Sequence, residues 1–137
     1  MLLAPVLVAT TIGLSSPAFP SGGKIPARYT CDGQGASPPL RWTAPPSGTR
    51  SFRLTVVDPD ARGFVHWSAS GIAASVRGLR AGQHAPHEGV NGFGNRGWGG
   101  PCPPPGPAHE YVFTLKALGA RGQTLAQGRL IGFYRKG

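Results

Sequence analysis

Acidic residues are the scarcest feature of this chain: five Asp and Glu stand against fourteen Lys and Arg in 137 residues, a net charge of +9. That imbalance points away from cationic partners and toward anionic ones, such as phosphate groups, acidic lipid surfaces or nucleic acid. The eleven arginines are scattered and never form a block. No RRM, KH, helix-turn-helix or zinc-finger pattern occurs, so nucleic acid is disfavoured. Long uninterrupted segments are missing as well. With 22 Gly and 15 Pro, few stretches reach about ten residues without one of them, which leaves little room for helix. Only two cysteines are present, Cys31 and Cys102, 71 positions apart and outside any C-x-x-C metal pattern. They are either bridged across a long loop or two small buried thiols, the second being what a cytosolic setting favours. A membrane-length apolar run is absent too. The apolar stretch from Met1 to Thr10 is short and broken by Pro5. It has no basic n-region, with no charge before Lys24, although Ser16-Pro17-Ala18 has the small-x-small form of a cleavage site. Residues 1–15 are therefore read as an apolar leader or first strand. A cytoplasmic location is favoured, with an exported form left open.

What is present suits one globular domain over residues 16–137. The length falls in the usual range of roughly 100–150 residues, hydrophobic content is 39%, and there are three Trp, three Tyr and six Phe. No internal repeat or linker divides the chain. Gly and Pro punctuate short apolar runs, the pattern of strands joined by tight turns. In the segment from Thr49 to Asp58, Phe52, Leu54 and Val56 alternate with Arg53 and Thr55, the period of a half-buried strand. Asp58 continues the parity of the apolar face, so a core-facing row ends in a carboxylate that needs a partner. Val65 to Ile72 reads as a second strand, with His66 on the opposite face from Val65 and Trp67. Residues 80–107 are loop-like. His109 to Leu118 is the clearest strand, with His109, Tyr111, Phe113 and Leu115 on one face, and a last strand is expected around Arg129–Tyr134.

Candidate chemistry gathers in two places: Asp58-Pro59-Asp60 just before His66, and the proline-rich run Gly99 to Gly106 just before His109 and Tyr111. Imidazoles and a phenol at strand ends can donate hydrogen bonds to an anion, while a carboxylate fixes the imidazole tautomer and raises its pKa. Pro103, Pro104 and Pro105 have no N–H and a fixed φ, so they would form a stiff apolar wall. Taken by spacing alone, a lone strand histidine is more often an ordinary residue, and Asp-Pro-Asp is usually only a turn.

Asp58-Pro-Asp-Ala61, His66-Trp67, Gly100-Pro-Cys-Pro-Pro-Pro-Gly106 and His109-x-Tyr111 resemble, in order, the two signature regions of the phosphatidylethanolamine-binding proteins (PEBP). The closest likeness is to the bacterial and archaeal branch often labelled Raf kinase inhibitor-like. Supporting stretches are Ile25 to Gly33, Ser37-Pro-Pro-Leu40 with Trp42, and Gly89-Val-Asn-Gly-Phe-Gly94, so the resemblance runs from about Ser16 to Tyr134. It implies an all-β, Greek-key-like fold with a large central antiparallel sheet, few or no helices, and a small pocket at one end for phosphate-type anions. By motif position, Asp58, His66, Pro103, Pro104, His109 and Tyr111 would line that pocket, Asp60 would brace it and Phe64 would supply an aromatic wall. His66 would donate to the anion, oriented by Asp58, with His109 and Tyr111 completing the ring of donors. The resemblance also brings the Cys31 and Cys102 segments to the pocket end, where a bridge would pin the proline wall.

The chain departs from the family pattern in three ways. The loop between Asp60 and His66 is short, leaving the pocket more open. The helix expected before the last strand is absent from Ala117 to Leu125, and no C-terminal helix follows Tyr134. These departures weigh against mammalian-style kinase regulation and would expose a face for a homodimer. The leading functional expectation is a non-catalytic binding protein for a small anionic or phosphorylated ligand, with no metal and no cofactor. The alternatives are an inhibitor of a kinase or protease acting through the pocket rim, or an acid–base enzyme using the same His, Asp and Tyr groups. An activated nucleophile and metal-ligand spacing are both lacking. An acidic membrane surface remains a further candidate partner.

Overall fold

The computed structural model of the chain describes residues 11–136. Eight strands form in order: β1 (Leu14–Ser15), β2 (Gly23–Lys24), β3 (Leu40–Trp42), β4 (Ser51–Asp58), β5 (Phe64–Ala73), β6 (Gly78–Leu79), β7 (His109–Leu118) and β8 (Thr124–Tyr134). The only helical pieces among the described residues are 3-10 turns at Ala27–Tyr29 and Pro59–Ala61. Five strands make the main sheet in the order β2-β8-β7-β4-β5, antiparallel except where β2 runs parallel to β8. A smaller antiparallel sheet, β1-β3-β6, packs over one face. The architecture is the all-β one expected. Residues 11–15 belong to it, with Ile12 N–H donating to the Gln127 carbonyl. The leader reading for residues 1–10 lies outside the described residues.

Period-2 alternation explains the main sheet. Phe52, Leu54 and Val56 pair across β4–β7 with Ala117, Leu115 and Phe113, and all six are fully buried. Burying each large side chain contributes roughly 1.5–3 kcal/mol. The small sheet supplies the facing layer through Leu14, Leu40, Trp42 and Leu79, with the Trp42 and Phe52 rings 5.6 Å apart. On the opposite face Val57, Val65, Val112 and Ile131 are half-buried, and Arg53, Lys116 and Arg129 are exposed. The β7–β8 connection is a tight hairpin in which Gly119 N–H donates to the Gln123 carbonyl, so no helix intervenes. β8 begins five residues earlier than the expected Arg129 start, because Gly128 lets the strand pass against the Ile12 backbone without a side chain.

The long connection 80–108 is tied down despite having no strand of its own. Its backbone accepts from or donates to β5 at Ser70–Pro86, Ser68–Gly89, Val65–Gly92 and His66–Gly99, which satisfies the sheet's exposed edge. Glu88 accepts from the Trp67 indole at 2.7 Å, and Asn91 caps the turn through Phe93 N–H and its own bond to Gly97. At the other end of this connection Cys102 is bonded to Cys31, with Cα atoms 5.4 Å apart.

Candidate ligand-binding pocket

The pocket forms where β4 turns into β5 and β7 begins. Asp58 ends β4 and caps the Pro59–Ala61 turn, its Oδ1 accepting from Asp60 N–H at 2.8 Å and Ala61 N–H at 3.1 Å. Its Oδ2 accepts from His109 Nδ1 at 2.7 Å. The carboxylate at the end of an apolar row thus has a partner on each oxygen, which answers the burial cost. Asp60 does not line the cavity. It stands behind it, accepting from Glu110 N–H at 2.8 Å and fastening the turn to the start of β7.

The structure corrects the expected placement of His66. The β4–β5 register runs Val56↔Trp67, Val57↔Val65 and Asp58↔Phe64, so one extra residue sits in β5 between Val65 and Trp67. This bulge breaks strict alternation and re-aims the side chain. His66 and Trp67, neighbours in sequence, are therefore both buried. The expected orienting pair changes too: Asp58 holds His109, not His66. His66 Nδ1 lies 2.6 Å from the Gly99 carbonyl, which can only accept, so Nδ1 carries the proton.

A second correction concerns charge. Burial pushes the His66 pKa below its ordinary value, and the Gly99 bond and Asp58 only partly offset this. His66 is thus neutral near pH 7, with Nε2 an acceptor toward the cavity. His109 also spends its Nδ1 proton on a carboxylate, which leaves its Nε2 facing inward. Tyr111 is held protonated: burial first, then the charges of Asp58, Asp60 and Tyr134, push its pKa up. His66 Nε2, His109 Nε2 and the Tyr111 hydroxyl hydrogen-bond no other described residue. None is a sealed, unsatisfied buried atom, so all three reach open space.

The cavity they share measures about 110 Å³ and is completed by Ala61, Phe64, Phe93, Cys102, Pro103 and Pro104. The His66 ring is clamped between Phe64 at 4.9 Å, Tyr111 at 5.1 Å and Phe93 at 5.7 Å. Close packing here needs glycine at two positions: a Cβ on Gly92 would strike the Phe64 ring, and one on Gly99 would strike Phe93. Every residue expected to line the pocket is brought to it. Phe93, Ala61 and the Gly99 carbonyl were not anticipated. The Gly89–Gly94 stretch was the signal for Phe93, but it carried no role until the loop's pairing with β5 was visible.

Asp58, Asp60 and His109 place one ligand atom each within 4.8 Å of one another. Their inward-facing atoms are largely taken by the hydrogen bonds above, so the cluster works as a brace. Among the described residues no Lys or Arg lies within 4 Å of a carboxylate; both ion pairs use histidine. Among the described residues no helix is long and apolar enough to cross a membrane.

The family model for phosphatidylethanolamine-binding proteins matches residues 15–134. A UPF0098 protein of Methanothermobacter thermautotrophicus is 38% identical over 154 aligned positions, covering 92% of this chain and 100% of the relative. The candidate lipoprotein LppC of Mycobacterium tuberculosis is 40% identical over 119 positions, spanning 83% of this chain but only 59% of LppC. Among solved structures, the crystal structure of a candidate PEBP homolog, CT736 of Chlamydia trachomatis, superposes with a TM-score of 0.85 at 30% identity, covering 94% of this chain and 100% of that one.

Proposed function

Because the chain belongs to the phosphatidylethanolamine-binding protein family, we propose that it is a non-catalytic binding protein for a small anionic or phosphorylated group. The observation that carries this reading is the convergence of His66 Nε2, His109 Nε2 and the Tyr111 hydroxyl on a cavity sized for one such group. The nearby carboxylates keep their negative charge, which is felt at Tyr111, but each accepts from backbone N–H groups, and Asp58 also from His109. With His66 neutral, its Nε2 can only accept; an anion without protons of its own is held by that ring only once it is protonated, and binding there takes up a proton. A phosphate monoanion can instead donate its own hydroxyl to an Nε2.

For a nucleophilic mechanism the lining offers no Ser, Thr or Lys, and Cys102 is in a disulfide, whereas the His, Asp and Tyr groups of the acid–base alternative are all present. A protein-partner reading, in which the pocket takes a phosphorylated or acidic side chain, is favoured by one feature. Phe93, which lines the cavity, is 50% exposed, and Val90, three residues before it on a loop whose turn Asn91 fastens, is 57% exposed. The exposed Cys31–Cys102 bond and the LppC relative support an exported protein over the cytoplasmic expectation.

Titration calorimetry with a phosphate monoester tests the reading. His66→Ala and His109→Ala should each weaken binding about tenfold, with folding intact, and the ester should be recovered unchanged. Equal affinity in both variants would sink the pocket; turnover abolished by His66→Ala but not by Arg121→Ala would make it an enzyme.

A further inference from the structure

The cavity is too small for more than one phosphate-sized group: about 110 Å³ is the share of roughly four waters. A larger depression of about 660 Å³ lies beside it, lined in part by Lys24, Ala108, Phe133, Tyr134, Arg135 and Lys136. Two links join them. Tyr134 is the cross-strand partner of His109, and Ala108 directly precedes His109. Lys136 Nζ lies 3.8 Å from the sulfur of Cys102, itself a wall of the small cavity.

Lys24, Arg135 and Lys136 are exposed, and none has a carboxylate within 4 Å among the described residues. Two carboxylates stand near without lining the depression: Asp32, which keeps its negative charge while accepting from the Tyr134 hydroxyl, and Glu110, across Phe133 from Lys24. Three like charges around one concavity repel each other and focus a positive field there. We infer that the ligand carries at least two linked anionic groups, one seated between His66, His109 and Tyr111 and the rest in the basic depression of Lys24, Arg135 and Lys136. The inference rests on the anion-binding reading and names the class of molecule that reading leaves open: a linked polyanion, such as a chain of phosphates. A lone orthophosphate would leave the depression unused.

The test compares orthophosphate with inorganic tripolyphosphate by calorimetry at ~0.15 M salt, where long-range charge effects are largely screened. The native chain should bind tripolyphosphate about tenfold tighter than orthophosphate. The triple variant Lys24→Gln/Arg135→Gln/Lys136→Gln should bring that ratio near one and leave orthophosphate affinity unchanged. A control with three cations removed elsewhere, Arg53→Gln/Lys116→Gln/Arg129→Gln on the open sheet face, should keep the ratio. A preference that survives the first variant, or falls equally in the control, overturns the extension. So does orthophosphate binding with no chain-length preference. Failure of orthophosphate to bind the native chain overturns the pocket reading beneath it.

Discussion

Two carboxylate–histidine pairs occur in this molecule with nearly the same local chemistry, and both border a cavity, but only Asp58–His109 shares its cavity with a second histidine and a tyrosine. In Asp58–His109 and in Glu88–His84 an imidazole Nδ1 meets one carboxylate oxygen, at 2.7 Å and 2.9 Å. In both, the second oxygen does structural work, for the 59–61 turn in one case and for the Trp67 indole in the other. The difference is where the rest of the ring points. His109 is 17% exposed and faces a cavity shared with His66 and Tyr111, whereas His84 is 90% exposed and faces solvent. A carboxylate beside a histidine is therefore not a site; convergence with other unpaired polar atoms is. That is why the Asp58 pair carries the functional reading and the Glu88 pair is read as a loop fastener.

The largest expected effect separates the two settings through the disulfide, since only the Asp58 pair faces a wall pinned by Cys31–Cys102. Replacing both cysteines with Ser reopens a loop of 71 residues and should cost roughly 4 kcal/mol in the chain-entropy view. Urea unfolding measures it, and an unchanged midpoint would show that the bridge contributes nothing.

Removing the carboxylates comes next. Asp58→Ala strips two turn N–H groups and His109 of a buried partner and should destabilise by about 3 kcal/mol. Glu88→Ala leaves the Trp67 N–H unpaired and should cost about 2 kcal/mol. The sharper contrast is in binding: sulfate affinity should vanish with Asp58→Ala and persist with Glu88→Ala. Loss in both would mean that the loop, and not the pair, makes the pocket.

A smaller effect follows from His66. Its folded pKa lies below the unfolded value, so between the two the unfolded chain binds more protons. Its contribution is present above about pH 6.5 and is lost as pH falls through the folded value. The ligand-free protein should lose stability on mild acidification, and His66→Gln should remove that part of the slope. An unchanged slope in the variant would place the titration elsewhere.

The strands around the pocket were legible because their alternation is long and clean: β7 starts and stops where the sequence said, and β4 and β5 within a residue or two. The two-residue strands β1, β2 and β6 were not, since a pair of residues has no period to read. The pocket residues were found by motif, but their wiring was not. Which histidine meets Asp58 depends on a bulge at Val65–His66, and no residue type announces an extra residue in a pair of strands. His109 reaches Asp58 from 51 positions away only because the β4–β7 register brings it there. Gly99 entered through its carbonyl, a group every residue has. Burial of His66 reverses the sign of the expected pKa shift, and that burial comes from Phe64, Phe93 and Tyr111 together, on three separate segments.

Sulfate is the most direct probe of the proton-coupled pocket, because it keeps its charge and brings no proton across the relevant range. Its binding should be measured by calorimetry from about pH 6 to about pH 8 in two buffers of different ionisation enthalpy. Affinity should fall steadily as pH rises, with net proton uptake on binding, and both features should disappear in the double variant His66→Ala/His109→Ala. Sulfate binding of constant strength across that range, with no proton taken up, would contradict an anion site built on these two imidazoles.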